Sequence, residues 1–532
     1  MTGQDGRDQT ATPAFEVESA VARAVSLHME GKLKEALEEL NEALRHSPDD
    51  LGVNAARGHV QCELEQYEEA SKSYSRVAEV QPKNATAWFN LAVCLEKLGK
   101  WEQAATRFER ALELQPERLE ARLGLGICQL HLEKAERALE SFERYLAEKS
   151  DDETALFGKA VALQFLWRFD EATDIYNRIL ERNPNSEESL TNLVAVAMAR
   201  KDDKSLRDYS EKLLALRPYS QAAMEGLATC AFSSGDFEAA VKFCSKLVEY
   251  TPDHFERWFN LGVACQKTKR LDQAAHAYAE AIRIRPDAKQ AYVNLGVVKQ
   301  ELNDLKGARE AYERALQITP DIPEIMFNLA TVFELQGAKD EAEKQYQKLL
   351  ARNQESEDAW FRLGYLRLER GDYRASAEAF ESAVRKRPHW PEALVNLGLS
   401  HWKSGNGDAA EAAFRKLLEV SPDSADALRG LAALAVEGEN FASALEYQVK
   451  LIDRGERSPE LFYNTGLLLQ RSGQAEDAIR LYREAIDERP DFAEALLNLG
   501  HALKGQGKAD EARTCWRQAI DIKPELARGY FE

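Results

Sequence analysis

Carboxamide side chains recur in one register of this sequence, at a constant 34-residue spacing or multiples of it. Asn is a mediocre helix former because its side chain competes for backbone hydrogen bonds, yet Asn260 lies in WFNLGVACQK, a stretch with helical periodicity. A carboxamide offers two donors and two acceptor sites, so a row of them can bond the backbone of an extended peptide whatever its side chains. The candidate peptide-binding residues are Asn90, Asn192, Asn260, Asn294, Asn328, Asn396, Asn464 and Asn498, with Arg362 in the same register.

Aromatic residues precede several of these side chains by one position. The clearest are Phe259, Phe327 and Phe361. On a helix with about 100° per residue, Asn260 lies off the apolar stripe that contains Trp258, so the row is predicted to face away from the core. We interpret the aromatic rings as apolar pockets beside the amides. The alternative stays open that each Asn bonds a neighbouring helix and each Phe is partly core.

Enzyme motifs are absent from the sequence. It contains no GxxxxGK[ST] phosphate loop, no HExxH, no GxSxG and no zinc-spaced Cys/His set. The fragments GLG at 124–126 and GNG at 405–407 follow no strand, so we interpret them as packing and turn positions. The nine His fall at differing positions without local partners, as a catalytic or metal-binding His would need. We therefore predict no catalytic residue, no metal site and no cofactor.

Composition limits the partners. The chain has 532 residues, 44% of them hydrophobic and 30% charged, and a net charge of −20. A nucleic-acid binder needs clustered Lys and Arg, and an anionic membrane attracts basic segments, so a neutral or basic protein partner fits better. No apolar run approaches the roughly 20 residues of a membrane span. Seven Cys at scattered positions favour a reduced, cytoplasmic protein.

Proline marks an internal 34-residue period. Twelve of fifteen steps on this grid carry Pro, and the other three carry Ser150, Gln354 and Glu456. The prolines are Pro48, Pro82, Pro116, Pro184, Pro218, Pro252, Pro286, Pro320, Pro388, Pro422, Pro490 and Pro524. A fixed period of this length is typical of repeat architectures. The register predicts fifteen contiguous repeats over residues 17–526, between a disordered tail, 1–16, and a short tail, 527–532.

Each unit reads as two amphipathic helices joined by a turn, which predicts an all-α fold. In eight units Gly occupies the turn, as at Gly99, which suits the end of a helix. The position of Gly262 holds Gly or Ala in every unit except at Val194. The position of Ala274 is Ala except at Leu206 and Ser376. Small residues at both places allow two antiparallel helices to approach closely.

These marks, W-x₂-L-G-x₂-Y, A-x₃-F and P, are similar to those of the tetratricopeptide repeat family. The resemblance extends from residue 17 to 526. It implies an α-solenoid, a right-handed superhelix of stacked antiparallel helix pairs, with the first helix of each pair lining the concave groove. The Asn row then resembles the asparagine ladder of the O-GlcNAc transferase repeat superhelix.

We predict a non-catalytic scaffold that binds an extended segment of another protein in its groove. One alternative is a substrate-selecting or regulatory repeat subunit of a glycosyltransferase-type or other enzyme complex. Another is a self-assembling protein, since only ARGYFE follows the last unit and no full helix is left to cover Trp516 and Ile520.

Overall fold

The computed structural model describes residues 17–528, which divide between two compact units, Met1–Thr268 and Lys269–Glu532. The first unit contains α1 Val17–Met29, α2 Leu33–His46, α3 Leu51–Glu63, α4 Tyr67–Val80, α5 Ala85–Lys97, α6 Trp101–Leu114, α7 Leu119–His131, α8 Ala135–Leu146, α9 Glu153–Phe165, α10 Phe169–Arg182, α11 Glu187–Arg200, α12 Asp203–Leu216, α13 Gln221–Ser234, α14 Phe237–Tyr250 and α15 Phe255–Lys267.

The second unit contains the remaining helices. They are α16 Leu271–Ile284, α17 Lys289–Glu301, α18 Leu305–Ile318, α19 Pro323–Leu335, α20 Lys339–Arg352, α21 Glu357–Arg370, α22 Tyr373–Lys386, α23 Pro391–Lys403, α24 Gly407–Val420, α25 Ala425–Glu437, α26 Phe441–Asp453, α27 Pro459–Arg471, α28 Ala475–Glu488, α29 Ala493–Gly505 and α30 Ala509–Ile522, followed by the 3₁₀ turn Pro524–Arg528.

Helices alternate between two kinds throughout residues 17–528, and the predicted all-α fold is confirmed. We call the odd-numbered helices A helices and the even-numbered ones B helices. The A helices begin at a constant 34-residue interval, from Val17 to Ala493, as the sequence register predicts. Within each unit, successive helices pack against one another, which is the arrangement of an α-solenoid.

The turn from an A helix to a B helix has a left-handed residue. Gly99 has φ 68° and Gly371 has φ 84°, and all eight glycines predicted at this turn have positive φ. Other units place an ordinary residue in the same conformation, such as Glu133 at φ 57° and Lys201 at φ 56°. The backbone of the turn is therefore set by the packing of the two helices, since side chains other than Gly oppose it.

Short polar side chains start many A helices. Asp50, Asn84 and Ser424 each accept a hydrogen bond from the backbone N–H three residues later. These bonds satisfy donors that the first helical turn leaves without partners. The grid prolines follow the B helices, as Pro48 follows α2, which ends at His46.

Two irregular places remain well packed. Val194 and Leu206, which depart from the small-residue pattern, are each only 1% exposed. Trp516 is only 5% exposed because it packs among the last helices of the chain. Leu526 of the 3₁₀ turn packs against the same cluster of buried residues.

Among residues 17–528 no helix is both long and apolar enough to cross a bilayer. The predicted tail 1–16 lies outside the described residues, as does most of 527–532.

Candidate functional site

Aromatic rings on the B helices position the predicted site. We call them the ring residues, and each is at most 5% exposed. In the first unit they are Tyr74, Phe108, Phe142 and Tyr176. In the second unit they are Tyr278, Tyr312, Tyr346, Phe380, Phe414, Tyr482 and Trp516. The same position lacks a ring at Leu40, Ser210, Cys244 and Gln448.

Ring residues lie between successive A helices. A Cβ atom built on Gly126 of α7 would lie 2.9 Å from Cε1 of Phe142, and one on Gly158 of α9 would lie 2.4 Å from its Cζ. Phe414 lies in the same way between Gly398 and Gly430, where added Cβ atoms would lie 2.6 Å and 2.5 Å from its ring atoms. The small residues therefore admit an aromatic ring between neighbouring A helices, beyond the close helix approach that the sequence predicts.

The candidate Asn and Arg residues occupy the A-helix position sixteen residues after the ring position of the preceding B helix, whether or not that position carries a ring. All six tyrosine rings are followed there by Asn or Arg, whereas three of the four phenylalanine rings are followed by Gly. Asn294 donates from Nδ2 to the hydroxyl of Tyr278 at 3.3 Å. A buried hydroxyl needs a partner, whereas the edge of a phenyl ring needs none. Some residues of the Asn row are therefore present as hydrogen-bond partners of buried tyrosine hydroxyls.

The tyrosine hydroxyls also bond their own A helices. The hydroxyl of Tyr176 donates to Oε1 of Gln164 at 3.1 Å, and that of Tyr482 donates to Gln470 at 2.8 Å. Burial raises the pKa of Tyr74, against which a hydrogen bond with Asn90 acts. At Tyr346, residues of two A helices meet at one buried hydroxyl, which bonds Glu334 of α19 and Arg362 of α21 and so joins adjacent pairs.

Four further members of the row are also bonded within the protein. Asn192 and Asn396 donate to backbone carbonyls of their own helices, both at 2.9 Å, and Asn498 donates to the hydroxyl of Tyr463 at 3.0 Å. Arg362 forms an ion pair with Glu334, whose side chain is 10% exposed. These groups hold structure and leave fewer donors for a ligand.

Three carboxamides of the row make no hydrogen bond with any described residue: Asn260 in the first unit, and Asn328 and Asn464 in the second. Asn260 and Asn464 are exposed, and Asn328 is half-buried. At Asn260 and Asn464 the residue sixteen positions earlier is Cys244 or Gln448, so no tyrosine hydroxyl is present to bind. The geometry therefore narrows the candidate ligand contacts to these three amides.

The predicted aromatic pockets are half-buried rings that already stack on neighbours. Phe327 meets Tyr346 edge-on with ring centroids 5.6 Å apart. Phe361 stacks on Trp390 at 4.5 Å, and Phe259 stacks on Phe255 at 5.7 Å. Phe327 and Phe361 also pack against clusters of buried residues, so these rings are partly core.

A cavity that sequence reasoning missed opens where Gln448 replaces a ring. It has a volume of about 580 Å³ and lies between α25 and α27, with α26 as its floor. Asn464 stands on its rim. The signal in the sequence is Gln at a position that elsewhere carries an aromatic residue, and it becomes visible once the ring residues are known to fill the space between A helices.

The structure also brings His28 close to His59 and Glu63, which lie more than thirty residues later in the sequence. Nε2 of His28 lies 3.1 Å from Glu63, and Nε2 of His59 lies 3.2 Å from the same carboxylate. One imidazole nitrogen of each His and one carboxylate oxygen of Glu63 all lie within 4.8 Å of one another. Sequence spacing did not reveal that His28 joins this group, because His28 lies on α1 whereas His59 and Glu63 lie on α3.

Helix pairs joined through rings and small residues define an α-solenoid repeat protein. Tetratricopeptide repeat models match residues 199–254, 255–288, 287–355 and 469–528. The model "Tetratricopeptide repeat protein 21 N-terminal ARM repeat" matches residues 20–206, and "Cilia and flagella-associated protein 70 middle TPR-like domain" matches residues 326–436. The chain belongs to the tetratricopeptide repeat family. A comparison with curated protein sequences finds no match.

Several solved structures are similar to the chain. YrrB, a TPR protein with an unusual peptide-binding site, is 21% identical, with a TM-score of 0.32 over 35% of this chain and 96% of that one. A tetratricopeptide repeat protein from Parabacteroides merdae ATCC 43184 is 18% identical, with a TM-score of 0.32 over 50% and 98%. Naa15/Naa10 bound to HypK-THB is 12% identical, with a TM-score of 0.32 over 96% and 94%.

Proposed function

We propose that this protein is a non-catalytic interaction scaffold that binds an extended segment of another protein along its A helices. The observation that carries the proposal is the set of carboxamides without internal partners, Asn260, Asn328 and Asn464. An exposed amide on a rigid helix can exchange its bonds to water for bonds to a peptide backbone at little cost in ordering the site.

The surroundings of these amides suit a peptide. Phe327 lies directly before Asn328 and Phe259 directly before Asn260, so each of these two amides has a half-buried ring next to it. Backbone bonding gives affinity in such a site, and apolar contacts give selectivity.

The net charge of −20 favours a neutral or basic protein partner over nucleic acid. Seven free cysteines, five of them buried, are consistent with a reducing compartment such as the cytoplasm.

A display experiment tests the proposal with peptides of random sequence. A library of linear peptides, long enough to pass the five A helices from α19 to α27, is selected against the full chain. The affinities of the selected peptides are then measured by fluorescence anisotropy for the wild type and for two variants, Asn260→Ala and the double variant Asn328→Ala/Asn464→Ala. Each amide that bonds a peptide backbone contributes about 0.5–1.5 kcal/mol, so at least a few-fold loss of affinity is expected.

The matched control removes amides from the B helices. Gln317 and Gln347 are exposed carboxamides on α18 and α20, and their replacement by Ala should leave peptide binding unchanged. Thermal melts of all variants show whether they fold alike. If no peptide is selected, or if the Asn variants bind as tightly as the wild type, the proposal is wrong.

A further inference from the structure

We propose that the cavity between α25 and α27 binds an aromatic side chain of the partner segment, which takes the place of the ring that Gln448 lacks. The inference rests on the proposed function, since it names the chemistry that one part of the A-helix surface selects. It is carried by a comparison of this place with the same place in other helix pairs, each within its own unit.

The dimensions of the site come from the repeat itself. Elsewhere an aromatic ring from the B helix fills the space between two A helices, as Phe414 does between Gly398 and Gly430. At Gln448 the space holds an amide instead and remains open as a cavity of about 580 Å³, within the usual range of ligand pockets. The cavity therefore includes the place that a ring occupies in other helix pairs, and it is large enough to admit one.

The fold does not always leave such a space open. In the first unit Ser210 also replaces a ring, but there α11 and α13 contact each other directly. A Cβ atom on Gly226 would lie 2.2 Å from Oγ of Ser210, so the gap is closed. In the α25–α27 region Asn464 stands where Gly226 stands in that pair, and the two A helices stay apart. Loss of the ring alone does not make a cavity.

Eight of the thirteen residues that line the cavity are apolar, and five are polar or charged. Its lining includes Val436, Leu451, Leu461, Leu467 and Leu468. Val436 is 42% exposed, in a position that carries Gln or Glu in several other A helices. An exposed aliphatic side chain at the mouth of an apolar cavity favours an apolar occupant.

Three polar side chains that line the cavity can donate further hydrogen bonds to a peptide segment whose aromatic side chain enters the cavity. Oε1 of Gln448 accepts from Oγ1 of Thr465 at 3.0 Å, whereas its Nε2 bonds no described residue. The guanidinium of Arg471 lies 4.7 Å from the centroid of Phe441 and has no carboxylate partner within the described chain. Together with Asn464, these donors can bond backbone carbonyls on either side of an inserted aromatic residue.

The first test uses single side chains, so it does not depend on a partner segment. N-acetyl-4-fluorophenylalanine amide is titrated with the full chain and followed by ¹⁹F relaxation, with the leucine and alanine analogues as competitors. The aromatic probe should bind more tightly than leucine amide, and alanine amide should not compete. Absence of aromatic binding at millimolar concentration, or equal binding of leucine amide, would overturn the inference.

The decisive variant restores the missing ring. Gln448→Tyr fills the cavity and places a hydroxyl sixteen residues before Asn464, the same relation that Tyr278 has to Asn294. We expect it to melt no lower than the wild type and to bind the aromatic probe at least about tenfold more weakly. Gln347→Tyr adds the same side chain on the exposed face of α20 and should bind as the wild type does. Unchanged binding by Gln448→Tyr contradicts the inference.

A second variant covers the case in which Gln448→Tyr does not fold. Val436→Glu changes an exposed side chain and places a carboxylate at the cavity mouth. It should therefore weaken binding of the aromatic probe without lowering the melting temperature.

The display-selected peptides separate the two proposals. If they depend on Asn464 but bind equally to wild type and Gln448→Tyr, the cavity inference fails and the scaffold proposal stands. If no peptide is selected while the probe binds, the scaffold proposal fails.

Discussion

Nδ2 of Asn294 lies 3.3 Å from the hydroxyl of Tyr278, and this hydrogen bond joins α17 to α16. The same side chain accepts a hydrogen bond from Gln290 at 3.1 Å. An amide that the sequence suggests as a ligand contact is therefore also a link between adjacent helices. This relationship gives the first prediction.

Replacing Asn294 by Ala should lower the free energy of unfolding by about 0.5–1.5 kcal/mol, the usual contribution of a hydrogen bond. The double variant Tyr278→Phe/Asn294→Ala, which removes both partners of the bond, should lose less stability than the sum of the two single variants. Urea unfolding of the four members of this cycle measures the coupling. Simple addition of the two single effects would show that the bond does not link the helices.

Gly296 should not tolerate a side chain. A Cβ atom there would lie 2.6 Å from Cε1 of Tyr312, within a buried ring contact. Gly296→Ala should therefore destabilise the protein by about 1–3 kcal/mol through overpacking. Gly407, at the start of α24, has nothing within 4 Å of the corresponding Cβ position, so Gly407→Ala should be neutral or slightly stabilising. Differential scanning calorimetry of both variants checks the contrast, and an unchanged melt for Gly296→Ala would refute the ring packing.

The left-handed turns should accept Gly wherever another residue now stands. Glu133 is exposed with φ 57°, and left-handed geometry costs a side-chain-bearing residue about 1–2 kcal/mol. Glu133→Gly should raise the urea midpoint, with part of the gain offset by the larger entropy of Gly in the unfolded chain. Gly99→Ala, at φ 68°, is the reciprocal change and should lower the midpoint. Shifts of the same sign in the two variants would contradict this view of the turn.

Stability should fall at alkaline pH because the ring residues include buried tyrosines. Burial, the main cause, raises the pKa of Tyr346 to about 12, whereas the unfolded chain titrates near 10. Between these values the folded state binds more protons than the unfolded state, so the free energy of unfolding decreases as pH rises. The loss for this one residue is about 2 kcal/mol by pH 12.

Tyr346→Phe tests the alkaline prediction. Urea midpoints measured from pH 8 to about 12 should fall less steeply for this variant than for the wild type. Tyr219→Phe removes a hydroxyl from a side chain that is 72% exposed, and should keep the wild-type profile. Parallel profiles for Tyr346→Phe and the wild type would mean that the Tyr346 hydroxyl does not titrate with a raised pKa.

The candidate site was only partly readable from the sequence. Asn260 and Asn294 occupy the same repeat position, so the sequence does not distinguish them. Asn294 bonds the hydroxyl of Tyr278, sixteen residues earlier. Asn260 has Cys244 at that distance and makes no hydrogen bond with the described residues. The difference depends on a residue sixteen positions away on another helix. Gln448 likewise reads as an ordinary polar residue until the space around it is known to lack a ring.

The sequence by itself determined the periodic part of this protein. The 34-residue register, the eight glycine turns and the small residues of the A helices all depend on local backbone preference and on the spacing of apolar side chains along one helix. Only the tertiary structure decided which amides are free, where a ring is missing, and that His28 meets Glu63. Those features depend on distances between side chains of different helices, which a single helix does not fix and which the packing of neighbouring pairs sets.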